Sequence, residues 1–253
     1  MSLEHRQPLV SDRSGRLVDP DASPNVSRRR VAIAAGVLLL VATITVLVAD
    51  AVEPDFAAMA TKRGWVGVAA LLRILAAGAS VGIAVALYPL LRLVGPAMAI
   101  GSVVFRTIEA VMYLAGVVGL LTLAALSGSS TTDEATSSST VRSLVEVLTS
   151  VRREAGLVAV FAFAVGAFMY YALMFRARLV PVWLSGWGLL AVVLLVLAAL
   201  LAAFSGQGVS EYKLLAAPIF LQELVLGVWL LVKGFATPEH PEGNPAQSRD
   251  TDH

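Results

Sequence analysis

The chain has 253 residues, 57% hydrophobic and 15% charged, with a formal net charge of +1 and a mean hydropathy of +0.79. A soluble domain carries about a quarter charged residues and about half apolar ones, so a water-soluble globule is excluded, and so small a net charge gives no electrostatic case for a nucleic-acid partner. Cysteine is absent and the three histidines, His5, His240 and His253, lie in polar terminal stretches, which removes disulfides, Cys or His metal sites, haem ligation and Ser–His or Cys–His nucleophile pairs from the apolar segments.

Residues 1–30 are polar, contain Pro8, Pro20 and Pro24, and end in Arg28-Arg29-Arg30; they read as a disordered basic tail. An apolar run over 31–49 follows, near the ~20 residues that a helix needs to cross a bilayer. Ser27-Arg28-Arg29-Arg30 before this run and Ala49-Asp50-Ala51 after it also fit a twin-arginine signal with a cleavage site. The length of the run and the spans behind it favour a retained anchor. The second run, 65–88, closes at Pro89 and Arg92, and the third, 96–126, exceeds what the bilayer requires. Residues 127–140 form a Ser/Thr-rich linker, and a short amphipathic segment around Val141–Val151 precedes the fourth run, 155–175. The fifth covers 183–204. Ser205-Gly206-Gln207-Gly208 makes a turn into the sixth, 214–235, and a polar, Pro-rich tail occupies 237–253. The expectation is an all-α, six-helix polytopic membrane protein with one membrane domain, 31–236.

Basic residues near helix ends set orientation. Arg28–Arg30, Arg92, Arg176, Arg178 and Lys233 fall on one side, which favours N-in/C-in, and Trp65, Trp183 and Trp187 near span ends suit the interface. Tyr170 and Tyr171 are expected to be interfacial too. Arginine far outnumbers lysine and alanine and valine abound, a composition that points to a bacterial source and its cytoplasmic membrane. Gly78-Ala79-Ser80-Val81-Gly82 is a GxxxG motif, read as close packing against another helix of the same chain.

Four ionisable residues interrupt the apolar runs: Arg73, Arg106, Glu109 and Glu223. Charges at membrane depth are costly and face a protein interior or a wet cavity. Helix rise places Arg73 ~12 Å below Trp65, Glu223 ~14 Å below Leu214, and Arg106 and Glu109 ~15 and ~20 Å above Pro96, one common layer of a ~30 Å core. Ser102, Arg106, Glu109 and Tyr113 share a face of the third helix, and Gln222 adjoins Glu223 one turn after Pro218. These seven residues are the candidate site, taking a proton or a small polar or ionic ligand; no cofactor or metal is implied. Two readings stay open: a proton-coupled or small-ligand transporter or sensor, and a scaffold or partner subunit in which Arg–Glu pairs only fix which helices meet. An intramembrane hydrolase is disfavoured, because the spans as drawn lack histidine, cysteine and aspartate.

Short motifs in a fixed order carry a family resemblance: Ala86-Leu87-Tyr88-Pro89-Leu90-Leu91-Arg92; Arg106-x-x-Glu109; Arg176-x-Arg178-Leu179-Val180-Pro181-x-Trp183-Leu184 with Gly186 and Gly188; and Pro218, Glu223-Leu224 and Trp229-Leu230-x-x-Lys233-Gly234-Phe235. Together they resemble a bacterial membrane family described as domain of unknown function 4386. The resemblance covers roughly Val31 to Phe235, implies a six-helix bacterial membrane protein, and brings no activity with it. Val182 stands where the resemblance leads one to expect a basic residue, and Arg73 is not among the residues that carry the resemblance.

Overall fold

Lipid offers the backbone no hydrogen-bond partner, so every crossing segment must satisfy its own amides, and the chain answers with six long apolar helices. The computed structural model describes residues 10–11, 17–18, 24–129 and 139–236. Most of the expected N-terminal tail, the C-terminal tail from 237 and linker residues 130–138 lie outside the described residues. Within the N-terminal stretch, Val10–Ser11 (β1) and Leu17–Val18 (β2) pair as a two-residue antiparallel ladder, Val10 opposite Val18. The rest is helical in its regular elements: α1 (Pro24–Val52), α2 (Phe56–Met59), α3 (Arg63–Leu91), α4 (Pro96–Ser129), α5 (Ser139–Arg176), α6 (Val182–Ser205) and α7 (Lys213–Val232), with a 3-10 turn at Val209–Tyr212 leading into α7.

Several boundaries differ from the sequence expectation, each for a local reason. α1 starts at Pro24 and not at 31, because proline suits the first helical position and the arginines that follow are good helix formers. α3 passes through Pro89; with one turn left the proline removes a single hydrogen bond, and the Arg92 amide still donates to the Tyr88 carbonyl at 2.9 Å. α5 starts at Ser139 and not at 155. The amphipathic segment Val141–Val151 is simply its first turns, with no proline to separate them, and at 38 residues the helix is ~57 Å long, far beyond a ~30 Å core. α6 ends as expected at the glycine turn, where Gly206 adopts φ 70°, the left-handed conformation that glycine reaches without strain. α7 ends at Val232, before Phe235, and the Ala236 amide donates to the Leu179 carbonyl at 2.8 Å.

Each spanning helix packs on its neighbours in sequence: α1 on α3, α3 on α4, α4 on α5, α5 on α6 and α6 on α7. α7 then packs on α1 and closes the ring. The closure rests on two glycines. A Cβ added at Gly36 would lie 2.9 Å from the Gly227 carbonyl oxygen, and one added at Gly227 would lie 3.2 Å from that of Gly36. At this crossing the two backbones touch, as small residues permit between helices in lipid. Arg29 fastens the same pair of helices, donating to the Leu231 carbonyl at 2.6 Å at the negative end of α7. The GxxxG motif serves less than expected: Gly82 packs on Leu38, but an added Cβ at Gly78 meets nothing within 4 Å.

Gly36→Ala is expected to lower the thermal stability of the detergent-purified protein by about 1–3 kcal/mol, the cost of overpacking against a backbone. Gly78→Ala is expected to leave it unchanged or slightly raised. Midpoints from temperature-dependent size-exclusion profiles check both.

Candidate functional site

Along α4 the residues divide cleanly by face. Ile100, Val104 and Val111 are about half exposed, whereas Ser102, Arg106 and Glu109 are 1–2% exposed, so the polar stripe is turned into the ring. Arg106 Nη1 lies 3.0 Å from Glu109 Oε2, an ion pair between residues one turn apart. The same Glu109 oxygen accepts a 2.8 Å hydrogen bond from Ser80 on α3. The guanidinium sits 4.6 Å from the ring centroid of Phe163 on α5, a cation–π contact. Gly166, one turn later, leaves room for the arginine stem, since an added Cβ would lie 3.2 Å from Arg106 Cγ. Arg106 Nε has no hydrogen-bond partner, and Nη1 has the ion pair without a directed hydrogen bond.

The second carboxylate is held differently. Glu223 on α7 accepts a 2.8 Å hydrogen bond from Thr43 on α1 through Oε2, while its buried Oε1 has no partner. Its neighbour Gln222 is fully buried, accepts a hydrogen bond from the Tyr171 hydroxyl and donates to the Leu184 carbonyl on α6 at 3.3 Å. Gly188 on α6 makes room for this pair, because an added Cβ would fall 2.8 Å from the Tyr171 ring and 3.0 Å from Gln222 Nε2. The Tyr170 ring packs on Tyr171 with centroids 4.4 Å apart, and its buried hydroxyl is unpartnered, as is that of Ser102. All six spanning helices thus contribute to one polar core.

Of the seven residues singled out from sequence, Ser102, Arg106, Glu109, Gln222 and Glu223 are buried, and Tyr113 is half-buried at the stripe's far end. Arg73 does not join them. It pairs with Asp50 at 2.7 Å and with Glu53 at 2.8 Å, and Glu53 in turn holds Arg152 of α5 at 2.9 Å. Depth alone suggests a shared layer, but α3 turns Arg73 towards the end of α1, where two acids await it. Tyr170 and Tyr171 are not interfacial aromatics; both are 0% exposed, drawn inward by the core's hydroxyl and amide chemistry. Sequence reasoning misses Thr43 and Ser80, small hydroxyls among alanines and valines. One signal is present: Thr43 stands two turns from Asp50, and Ser80 two turns from Arg73, so each shares a helix face with a charge.

Fold and core define a multi-pass membrane protein built around an internal ion pair. The family comparison then places it: the model described as "Domain of unknown function (DUF4386)" matches residues 31–234, and the chain belongs to that family. Comparisons with curated proteins and with solved structures return no match.

Arg106→Met is expected to cost about 3–5 kcal/mol, because it strands a buried carboxylate. Arg106→Met combined with Glu109→Leu is expected to recover most of that loss, a coupling read from thermal unfolding of the two single variants and the double variant.

Proposed function

We propose that the core formed by Arg106, Glu109 and Glu223 takes up and releases a proton, and that the protein is a proton-coupled transporter or sensor of the bacterial cytoplasmic membrane, oriented N-in/C-in. The observation that carries this reading is the charge count. One guanidinium neutralises one carboxylate, and Glu109 takes that position. Glu223 keeps a hydroxyl donor on one oxygen and nothing on the other. An unbalanced carboxylate buried in low dielectric is costly, and a proton on Glu223 removes that cost. The packing of Phe163 and Gly166 around Arg106 favours a proton over a larger solute at this point, so any small polar or ionic ligand binds elsewhere along the polar stripe.

A second reading is supported by the hydrogen bonds themselves. Ser80 ties α3 to α4, Thr43 ties α1 to α7, and Tyr171 ties α5 to α7. A scaffold or partner subunit would use such a core only to fix helix order.

Infrared difference spectra of the reconstituted protein separate the two. With a proton site, a protonated-carboxyl stretch appears and disappears over about pH 4–9, the range open to buried carboxylates, and Glu223→Gln removes it while the protein stays monodisperse. With a scaffold, no carboxyl band titrates in that range, and exchanging Arg106 and Glu109 leaves folding intact.

A further inference from the structure

We propose that the cavity between the end of α7 and the loop joining α5 to α6 binds a phosphate-bearing anion, as a lipid headgroup or as the free ion, through Arg178 and Lys233. The site lies apart from the polar core and does not depend on the proton reading.

Two stretches of chain build the cavity, one after α5 and one at the end of α7. Both helices are followed, two residues on, by a residue in the left-handed conformation: Arg178 at φ 49° after α5 and Gly234 at φ 74° after α7. The Ala236 amide, donating to the Leu179 carbonyl at 2.8 Å, ties the two stretches together. Glycine holds such a turn without strain, as Gly234 does. Arginine in the equivalent place after α5 accepts strain and brings a cation to the cavity.

The cavity measures about 290 Å³, at the lower end of the range for small-molecule sites and of headgroup size. Pro181, Val182, Trp229 and Phe235 form its walls beside Arg178 and Lys233. Neither cation takes part in an ion pair or a side-chain hydrogen bond among the described residues. Every carboxylate among those residues stands either in the core, as Glu109 and Glu223 do, or at the Asp50 end of the bundle. A guanidinium and an ammonium that line one hollow with no acid beside them favour an anion, and phosphate has oxygens for both. Positive charge at this end is by itself an orientation signal. The concave shape and the mixed lining are what that signal does not require.

The surroundings suit a lipid carrier. Trp183 meets Trp229 edge-on with centroids 6.3 Å apart and stacks on Trp187 at 6.5 Å, and such rings settle at headgroup level. Val182 in the wall and Val232 beside Lys233 are both exposed, an apolar continuation for the first carbons of an acyl chain. Basic pockets between spans recognise anionic headgroups in this way.

The delipidated full chain in detergent is titrated with phosphatidylglycerol and with phosphatidylcholine, bound lipid being counted by native mass spectrometry, and with radiolabelled inorganic phosphate by equilibrium dialysis. Phosphatidylglycerol is expected to bind at least about tenfold more tightly than phosphatidylcholine. Arg178→Gly combined with Lys233→Gln, which keeps the left-handed turn, is expected to weaken that binding about 25-fold, about fivefold for each basic group. Lys233→Gln alone, at an exposed position, is expected to show its fivefold share even if the double variant does not fold. Arg30→Gln combined with Arg176→Gln removes the same charge from the same end but outside the cavity, and is expected to change binding less than about twofold. Equal losses in the two double variants reduce the effect to a diffuse basic surface and overturn the site. Inorganic phosphate that binds, and is lost with Lys233→Gln, while phosphatidylglycerol shows no preference, supports the site with the free ion as its ligand. If neither phosphatidylglycerol nor phosphate binds in a way that Lys233→Gln weakens, the proposal is wrong.

Discussion

A guanidinium held 1% exposed inside a lipid-embedded bundle dictates much of what surrounds it. It cannot lose its proton, and it cannot face hydrocarbon. Arg106 therefore needs a carboxylate within one turn, an aromatic face against its plane and a gap for its stem, and it finds them in Glu109, Phe163 and Gly166. The carboxylate in turn needs donors, which brings Ser80 of α3 to α4. Each requirement recruits another helix, and the ring is the shape in which six helices can all reach one centre.

Apolar packing alone would not select that shape. Lipid tails are as apolar as leucine, so association between spans relies on close fit and on polar contacts. The fit here is supplied by glycine at specific crossings, Gly36 against Gly227 and Gly188 against Tyr171, and the polar contacts by side chains that would otherwise stay unsatisfied in hydrocarbon. Outward, the helices show isoleucine, leucine and valine. Inward, they show alanine, serine and threonine alongside buried leucines such as Leu39, Leu87, Leu173 and Leu230, and the few charges.

The six spans are legible in the sequence because lipid imposes one signal, sustained hydropathy, that needs no tertiary context. The α4 stripe is legible as well, since helical period alone brings Ser102, Arg106 and Glu109 onto one face. Partner choice is not. Arg73 groups with the core on sequence because depth is readable and helix rotation is not; its rotation is set by Asp50 and Glu53, which stand beyond the end of the first apolar run. Thr43 and Ser80 escape notice because a hydroxyl among alanines carries no hydropathy signal until the carboxylate opposite it is known. The continuity of α5 from Ser139 is hidden because its first turns are polar outside the bilayer, where hydropathy no longer reports on helix.

The Thr43–Glu223 hydrogen bond joins residues separated by 180 positions, which at bacterial or eukaryotic rates is about 10–40 s of synthesis. Around this contact α1 carries a hydroxyl, Thr43, and a glycine surface at Gly36, neither of which is costly in lipid; its one carboxylate, Asp50, stands two turns away near the helix end. Arg106 enters together with Glu109 on its own helix, so neither charge is ever alone. The unbalanced carboxylate, Glu223, belongs to the last helix. The order of residues along the chain thus places the unbalanced carboxylate last among the core residues to be synthesised.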